Sequence, residues 1–181
     1  MRVIAGYLGG RKLVPAHGSD LRPATDRIKE TIFNVLQNRL SLEGADVLDL
    51  FAGTGSLGIE AISRGAGHAT FVDTSEKSLR LLKSNLSRLQ CQNLSTVMKA
   101  DAFAFIERAG GQYNLIFADP PYAFDDTPSI PPRVLANNLL KNGGFLIIEH
   151  LKQTPMVDSR EIALVLQKEF GQTVVSFFSP P

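Results

Sequence analysis

The run with the most chemical promise in this 181-residue chain is Asp119-Pro120-Pro121-Tyr122. A carboxylate followed by a backbone carbonyl, both stiffened by two prolines, makes a fixed pair of hydrogen-bond acceptors next to an aromatic ring. Such a pair suits an amino nitrogen whose lone pair is delocalised into a flat ring or an amide. Asp119 and the Pro120 carbonyl can each accept one of its hydrogens, draw the nitrogen toward tetrahedral geometry and turn its lone pair toward an electrophile. Tyr122 can stack on the ring that carries the amine. In that role Asp119 orients the amine and stabilises developing positive charge; it need not be a strong base, because the proton can leave after transfer. A rigid Pro-Pro turn without chemistry is the plain alternative, and it would be preferred if the run stood alone.

It does not stand alone. Upstream lies Asp49-Leu50-Phe51-Ala52-Gly53-Thr54-Gly55-Ser56-Leu57-Gly58, whose glycines let a backbone turn tightly from strand to helix and approach a ligand closely. The spacing also fits G-x-G-x-x-G, with Asp73 twenty residues after Gly53, so a dinucleotide has to be weighed against a methyl donor. Charge separates the two. Asp49 beside the turn would repel a pyrophosphate, whereas S-adenosylmethionine brings an ammonium and a sulfonium; the plain alternative for Asp49 is a cap on the turn. Asp73, ending the second strand, can accept from ribose hydroxyls, and Asp101, ending the third, from an adenine amino group. Each could equally be a helix N-cap, but acids at three successive strand ends point together to a ligand site.

These residues need a parallel sheet to bring them to one edge, and the chain has the rhythm of one. Short apolar runs at 46–51, 69–73, 94–98, 113–118 and 144–149 alternate with helical patterns at 57–64, 75–90, 102–108 and 133–140. Ser75 is a plausible N-cap, and Leu79, Leu82, Leu86 and Leu89 make one apolar face. Segments 161–170 and 172–178, joined at Gly171, are too close for a parallel crossover and predict an antiparallel hairpin. Upstream, 25–40 predicts an amphipathic helix after Pro23, and 1–14 a small hairpin, 3–7 against 11–14, turning at Gly9-Gly10. The expected architecture is α/β and Rossmann-like: a mostly parallel seven-stranded sheet with an antiparallel last strand and a small N-terminal β-hairpin extension. The expected division is a basic extension over 1–22 and a catalytic domain over 23–181.

Composition narrows the function classes. A chain of this length can bury a core without staples, and 44% hydrophobic with 20% charged residues is ordinary for a globular domain. The single cysteine, Cys91, cannot pair internally, and Cys and His show no zinc-like spacing. Cytoplasmic location, no metal, no membrane span and a monomeric state are the expectations. Residues 1–40 hold seven Lys/Arg against three Asp/Glu, a balance of +4, while 41–181 hold twelve against fifteen, or −3. A basic front end suits a polyanion, although a solvated basic face explains it as well. Thr54-Gly55-Ser56-Leu57-Gly58 lacks the first glycine of a nucleophile elbow, and His17, His68 and His150 suggest no triad, which disfavours a hydrolase.

On these residues the chain resembles class I methyltransferases, and more closely the RsmD-type family that methylates the exocyclic amine of a guanine (guanine-N2) in 16S small-subunit ribosomal RNA. The resemblance spans nearly the whole chain: 9–13 (GGRKL), 21–30 (LRPATDRIKE), 47–58, 119–122 and the closing 170–173 (FGQT). It implies cofactor contacts from Asp49, Phe51, Gly53, Thr54, Gly55, Asp73, Asp101 and Ala102, with S-adenosylmethionine as the cofactor. It implies a base held by Asp119, Pro120, Pro121 and Tyr122, and RNA phosphates bound by Arg2, Arg11, Lys12 and Arg22. Phosphate contacts from such a basic arm add affinity but carry no base identity. Asp73 stands where the family usually has glutamate, and the stretch 150–160 leaves little room for a long helix. Other readings stay open: an amino methyltransferase for adenine or a protein glutamine, a nicotinamide-dependent oxidoreductase, or an inert RNA-binding module.

Overall fold

The computed structural model describes residues 1–15, 25–156 and 162–180. The expected sheet is present. Strands β1 (Asp46–Leu50), β2 (His68–Asp73), β3 (Ser95–Lys99), β4 (Tyr113–Ala118), β5 (Leu140–Leu151), β6 (Ala163–Phe170) and β7 (Thr173–Ser179) form one seven-stranded sheet in the order β3-β2-β1-β4-β5-β7-β6. β1 to β5 pair in parallel, and β7 runs antiparallel between β5 and β6. The order reverses between β1 and β4, and open sheets of this kind bind ligands outside the carboxyl ends of the strands at such a reversal.

Alternation along each central strand builds two cores. Val47, Phe117 and Ile147 face helices α1 (Thr25–Gln37), α2 (Ser56–Ser63) and α3 (Glu76–Leu89), while Leu48, Ile116 and Ile148 face α4 (Ala102–Arg108) and α5 (Ile130–Ala136). Burial on both faces explains why these strands read as continuous apolar runs. β3 and β6, at the two edges, bury no residue fully and carry charges such as Lys99 and Lys168. The Ser75 Oγ accepts from the Ser78 N–H at the start of α3, as its position predicts.

Several boundaries differ from the sequence expectation. The N-terminal hairpin is shorter than 3–7 against 11–14: Arg2 bridges Lys12 antiparallel, the Val3 N–H donates to the Arg11 carbonyl and the Leu13 N–H to the Met1 carbonyl, and residues 5–10 form the turns between. Those turns are held by α2 as well as by the cross-strand bonds. Glu60, within α2, accepts from the Ile4 and Ala5 N–H groups at 2.7 and 3.0 Å, and Ser63 Oγ accepts from the Leu8 N–H at 3.0 Å. Val3, Leu8 and Leu13 enter the same core as α1, so this segment is packed into the domain. The helix expected over 133–140 begins earlier, at Ile130, because Pro131 and Pro132 occupy its first turn, where a missing N–H costs nothing. β5 in turn starts at Leu140. The short connection after β5 holds no helix over 152–156; the rest of it, and Pro23 and Arg22, lie outside the described residues.

Candidate active site

The turn after β1 is built by its glycines and by one strained aromatic. Phe51 has φ +58, a left-handed conformation uncommon outside glycine, and residues held so tend to sit at functional sites. Gly55 has φ +82, and a Cβ there would lie 2.3 Å from Leu82 Cδ1. Gly58, inside α2, lies flat on Phe71 for the same reason of space. This closeness lets the Gly58 N–H reach Asp49, whose Oδ2 accepts it at 2.9 Å. Asp49 is fully buried there, and burial pushes its carboxyl up to about 8; the Gly58 bond opposes the rise and the charges of Asp119 and Asp73 add to it.

A cleft of about 720 Å³ opens at the carboxyl edge, lined by Gly53 and Phe51 after β1, Asp73 after β2, Asp101 and Ala102 after β3, and Asp119 with both prolines after β4. The fold thus brings the glycine turn and the Asp-Pro-Pro run to one cavity, as their places in the sequence imply. Asp73 spans the turn: its Oδ2 accepts from the Gly53 N–H at 2.8 Å and its Oδ1 from the Ser75 N–H at 2.7 Å. Asp101 caps α4, its Oδ1 accepting from the Phe103 and Ala104 N–H groups at 3.0 Å each. Both residues also line the cleft, and each carboxylate has about four lone-pair sites, so capping and ligand binding are compatible. Phe124, which no sequence motif singles out, closes the wall, its ring 5.2 Å from that of Phe51 and 5.4 Å from that of Phe103. Ser75 and Ser78 add polar lining.

A second cavity, of about 230 Å³, lies on the α1 side of the same loop and shares Phe51, Gly53 and Asp119 with the first. Its other walls include Thr54, Met1, Lys29 and Glu149. Lys29 is buried: its Nζ donates to the Arg2 carbonyl and to Ser56 Oγ and lies 3.4 Å from Glu60. Burial lowers its pKa, against the pull of Glu60. Neither Lys29 nor Glu149 belongs to a motif legible in sequence, although the strand-end reasoning that selects Asp73 and Asp101 selects Glu149 when extended to the fifth strand.

Other expected residues sit elsewhere. Asp49 and Gly55 shape the turn from behind without lining either cavity. Tyr122 is 42% exposed and its hydroxyl pairs with Thr173 Oγ1 at 2.7 Å, outside the lining of the larger cleft. Arg2, Arg11 and Lys12 are exposed on the N-terminal segment, Arg2 lying 3.5 Å from Asp26. Among the described residues no acid, His and Cys cluster could hold a metal, and no helix is long and apolar enough to cross a membrane.

Comparisons with known proteins give the chain a family and a fold. Residues 1–179 match the family described as conserved hypothetical protein 95. The Ribosomal RNA small subunit methyltransferase D of Haemophilus influenzae is 34% identical over 180 residues, covering 98% of this chain and 91% of that protein. The solved structure of the Thermus thermophilus protein TTHA0928 superposes with TM-score 0.83 at 27% identity over 99% of each chain. The more distant SMU.776, solved in complex with SAH, has TM-score 0.66 at 17% identity, over 83% of this chain and 48% of that one, a likeness of fold.

Proposed function

Because this chain belongs to the conserved hypothetical protein 95 family, the RsmD family, we propose that it transfers a methyl group from S-adenosylmethionine to the 2-amino nitrogen of a guanine in small-subunit ribosomal RNA. The observation that carries this reading is the position of Asp119, on the border between a large cleft and a small one. A donor in the first and an amine in the second would meet at that carboxylate.

The residues of the larger cleft fit the donor. Its described lining contains three aspartates, Asp73, Asp101 and Asp119, and neither lysine nor arginine. Such a surface repels a pyrophosphate and favours a sulfonium, which counts against a nicotinamide dinucleotide. Asp73 can accept from ribose hydroxyls, Asp101 from an adenine amine, and the rings of Phe51 and Phe124 offer an apolar wall for a purine. When bound, the donor supplies an electrophilic methyl carbon on sulfur. Asp119 and the Pro120 carbonyl hold the two amine hydrogens, so that the nitrogen lone pair is free to form the new N–C bond as the S–C bond breaks. The negative charge of Asp119 stabilises the positive charge that builds on nitrogen, and the surplus proton passes to solvent.

Arg2, Arg11 and Lys12 would add phosphate contacts from the N-terminal segment, giving a salt-dependent affinity without base identity. A ribosomal substrate implies work in the cytoplasm, and a single chain supplies every residue named here. The test is transfer of tritiated methyl into small ribosomal subunits from cells that lack the gene, followed by nucleoside analysis. N2-methylguanosine is the expected product; label on adenosine or on protein would overturn the assignment. Calorimetry should show binding of S-adenosylhomocysteine and no binding of NAD.

A further inference from the structure

The smaller cavity holds a group that the transfer chemistry does not use. β4 and β5 are paired in parallel with Ala118 opposite Ile148, so Asp119, the first residue past β4, and Glu149, within β5, each follow one member of that last pair. Alternation puts both on the face of Phe117 and Ile147, beneath α1. Both line the smaller cavity. Two carboxylates side by side form a row of acceptors, and an ionised carboxylate can only accept.

That row distinguishes bases. Guanine carries an N–H at ring position N1 directly beside its 2-amino group, so it presents neighbouring donors. In adenine and cytosine the ring nitrogen beside the amine is an acceptor, whose lone pair would face a carboxylate with no hydrogen between them. Resting on the function proposed above, we infer that the smaller cavity receives the target base and that Glu149 selects guanine by accepting its N1–H while Asp119 and Pro120 take the amine hydrogens. The arrangement keeps the amine at the border shared with the larger cleft and the ring on the α1 side. Glu149 can add this bond to contacts it already makes, because a carboxylate has about four lone-pair sites. Lys29, also in the wall of this cavity, is committed to the Arg2 carbonyl, Ser56 and Glu60, so it does not read the base.

The test uses small subunits reassembled around ribosomal RNA in which the target position, located from the wild-type product, carries either guanine or 2-aminopurine. The analogue keeps the 2-amino group, lacks the 6-oxo group and presents an acceptor at N1 in place of the N–H. The Glu149 variant separates the N1 effect from the loss of the oxygen. Wild-type protein should prefer guanine by about 100-fold or more in kcat/KM, since a site built to bond an N–H strongly rejects a partner lacking it. In Glu149→Gln the amide can donate to that acceptor, so activity on guanine should fall and the preference should shrink or reverse, with S-adenosylhomocysteine affinity unchanged. A wild-type enzyme that uses both bases equally overturns the inference without need of any variant. An unchanged preference in Glu149→Gln overturns it too, while leaving the methyltransferase reading intact. Wild-type protein that binds S-adenosylhomocysteine but labels no subunit RNA would defeat both.

Discussion

β1 and β4 lie side by side and each carries an aspartate toward the same face, yet the two carboxylates meet different fates. Asp49 is paired in register with Phe117, inside the sheet, while Asp119 comes two residues later, past the last paired residue. After β1 the glycines fold the chain back so tightly that α2 covers Asp49 and donates the Gly58 N–H to it. After β4 come two prolines, which donate no N–H and cannot continue the strand, so Asp119 stays at the edge facing both cavities. An acid at a strand end is thus not one kind of signal: the residues immediately downstream decide whether it becomes part of the scaffold or part of the chemistry.

The largest effect should come from the exposed member of the pair. Asp119→Ala should lower methyl transfer by roughly 10²-fold or more, the scale of losing one preorganised electrostatic contact to a transition state. S-adenosylhomocysteine affinity should hold, because Gly53, Asp73 and Asp101 are untouched. Single-turnover transfer and calorimetry on the same preparation check both halves. A variant that transfers at the wild-type rate removes Asp119 from the mechanism.

The scaffold member is best probed through the glycine that serves it. In Gly58→Ala the new Cβ would lie 2.3 Å from Phe71 Cε1 and 3.1 Å from Asp49 Oδ2, so α2 must shift away from the sheet. Overpacking of this kind costs about 1–3 kcal/mol. In a domain of this size that lowers Tm by roughly 2–4 °C for each kcal/mol, readable by thermal denaturation. An unchanged Tm would show that α2 has slack, and that Asp49 is not held by close packing.

The same contrast between local and distant causes separates the features legible in sequence from those that are not. The sheet, its order of elements and the meeting of the glycine turn with Asp119 are readable, because apolar runs buried on both faces and glycine spacing are local signals. The start of α5 is not, because Pro131 and Pro132 break a helix anywhere except its first turn, and sequence alone does not say which turn they occupy. The N-terminal hairpin is legible but its register and long turn are not, because those turns bond to Glu60 and Ser63, more than fifty residues away. Lys29 is invisible for a related reason: on a helical stripe a lysine looks solvated, and only the fold brings Glu60 and the Arg2 carbonyl to it.

The buried aspartate can also be probed by its titration. With its carboxyl pushed up to about 8, native Asp49 keeps a proton that the unfolded chain releases near the ordinary carboxylate value. A raised folded pKa means a contribution to stability that is complete below the unfolded value, declines as pH rises and is gone above the folded one. Stability should therefore fall between about pH 4 and pH 8 through this group. Asp49→Asn cannot ionise and can still accept from the Gly58 N–H, so its Tm should gain on wild type steadily from about pH 5 to pH 8. Parallel curves for the two proteins would show that Asp49 is ionised in the native state.

The smallest effect should lie just beyond the prolines, where the β4 end is tied to β7. Tyr122 is half-exposed and its hydroxyl bonds Thr173 Oγ1 at 2.7 Å, which links the Asp-Pro-Pro-Tyr run to the turn that closes the sheet. Tyr122→Phe keeps the ring and removes that bond, a net loss of about 1 kcal/mol. If the bond does no more than position the ring, kcat should change by only a few-fold, and Thr173→Val should reproduce the change without adding to it in the double variant, as expected for two partners of one interaction. Additive effects would mean that the two side chains act separately, and that the closing turn plays no part in holding the loop beside Asp119.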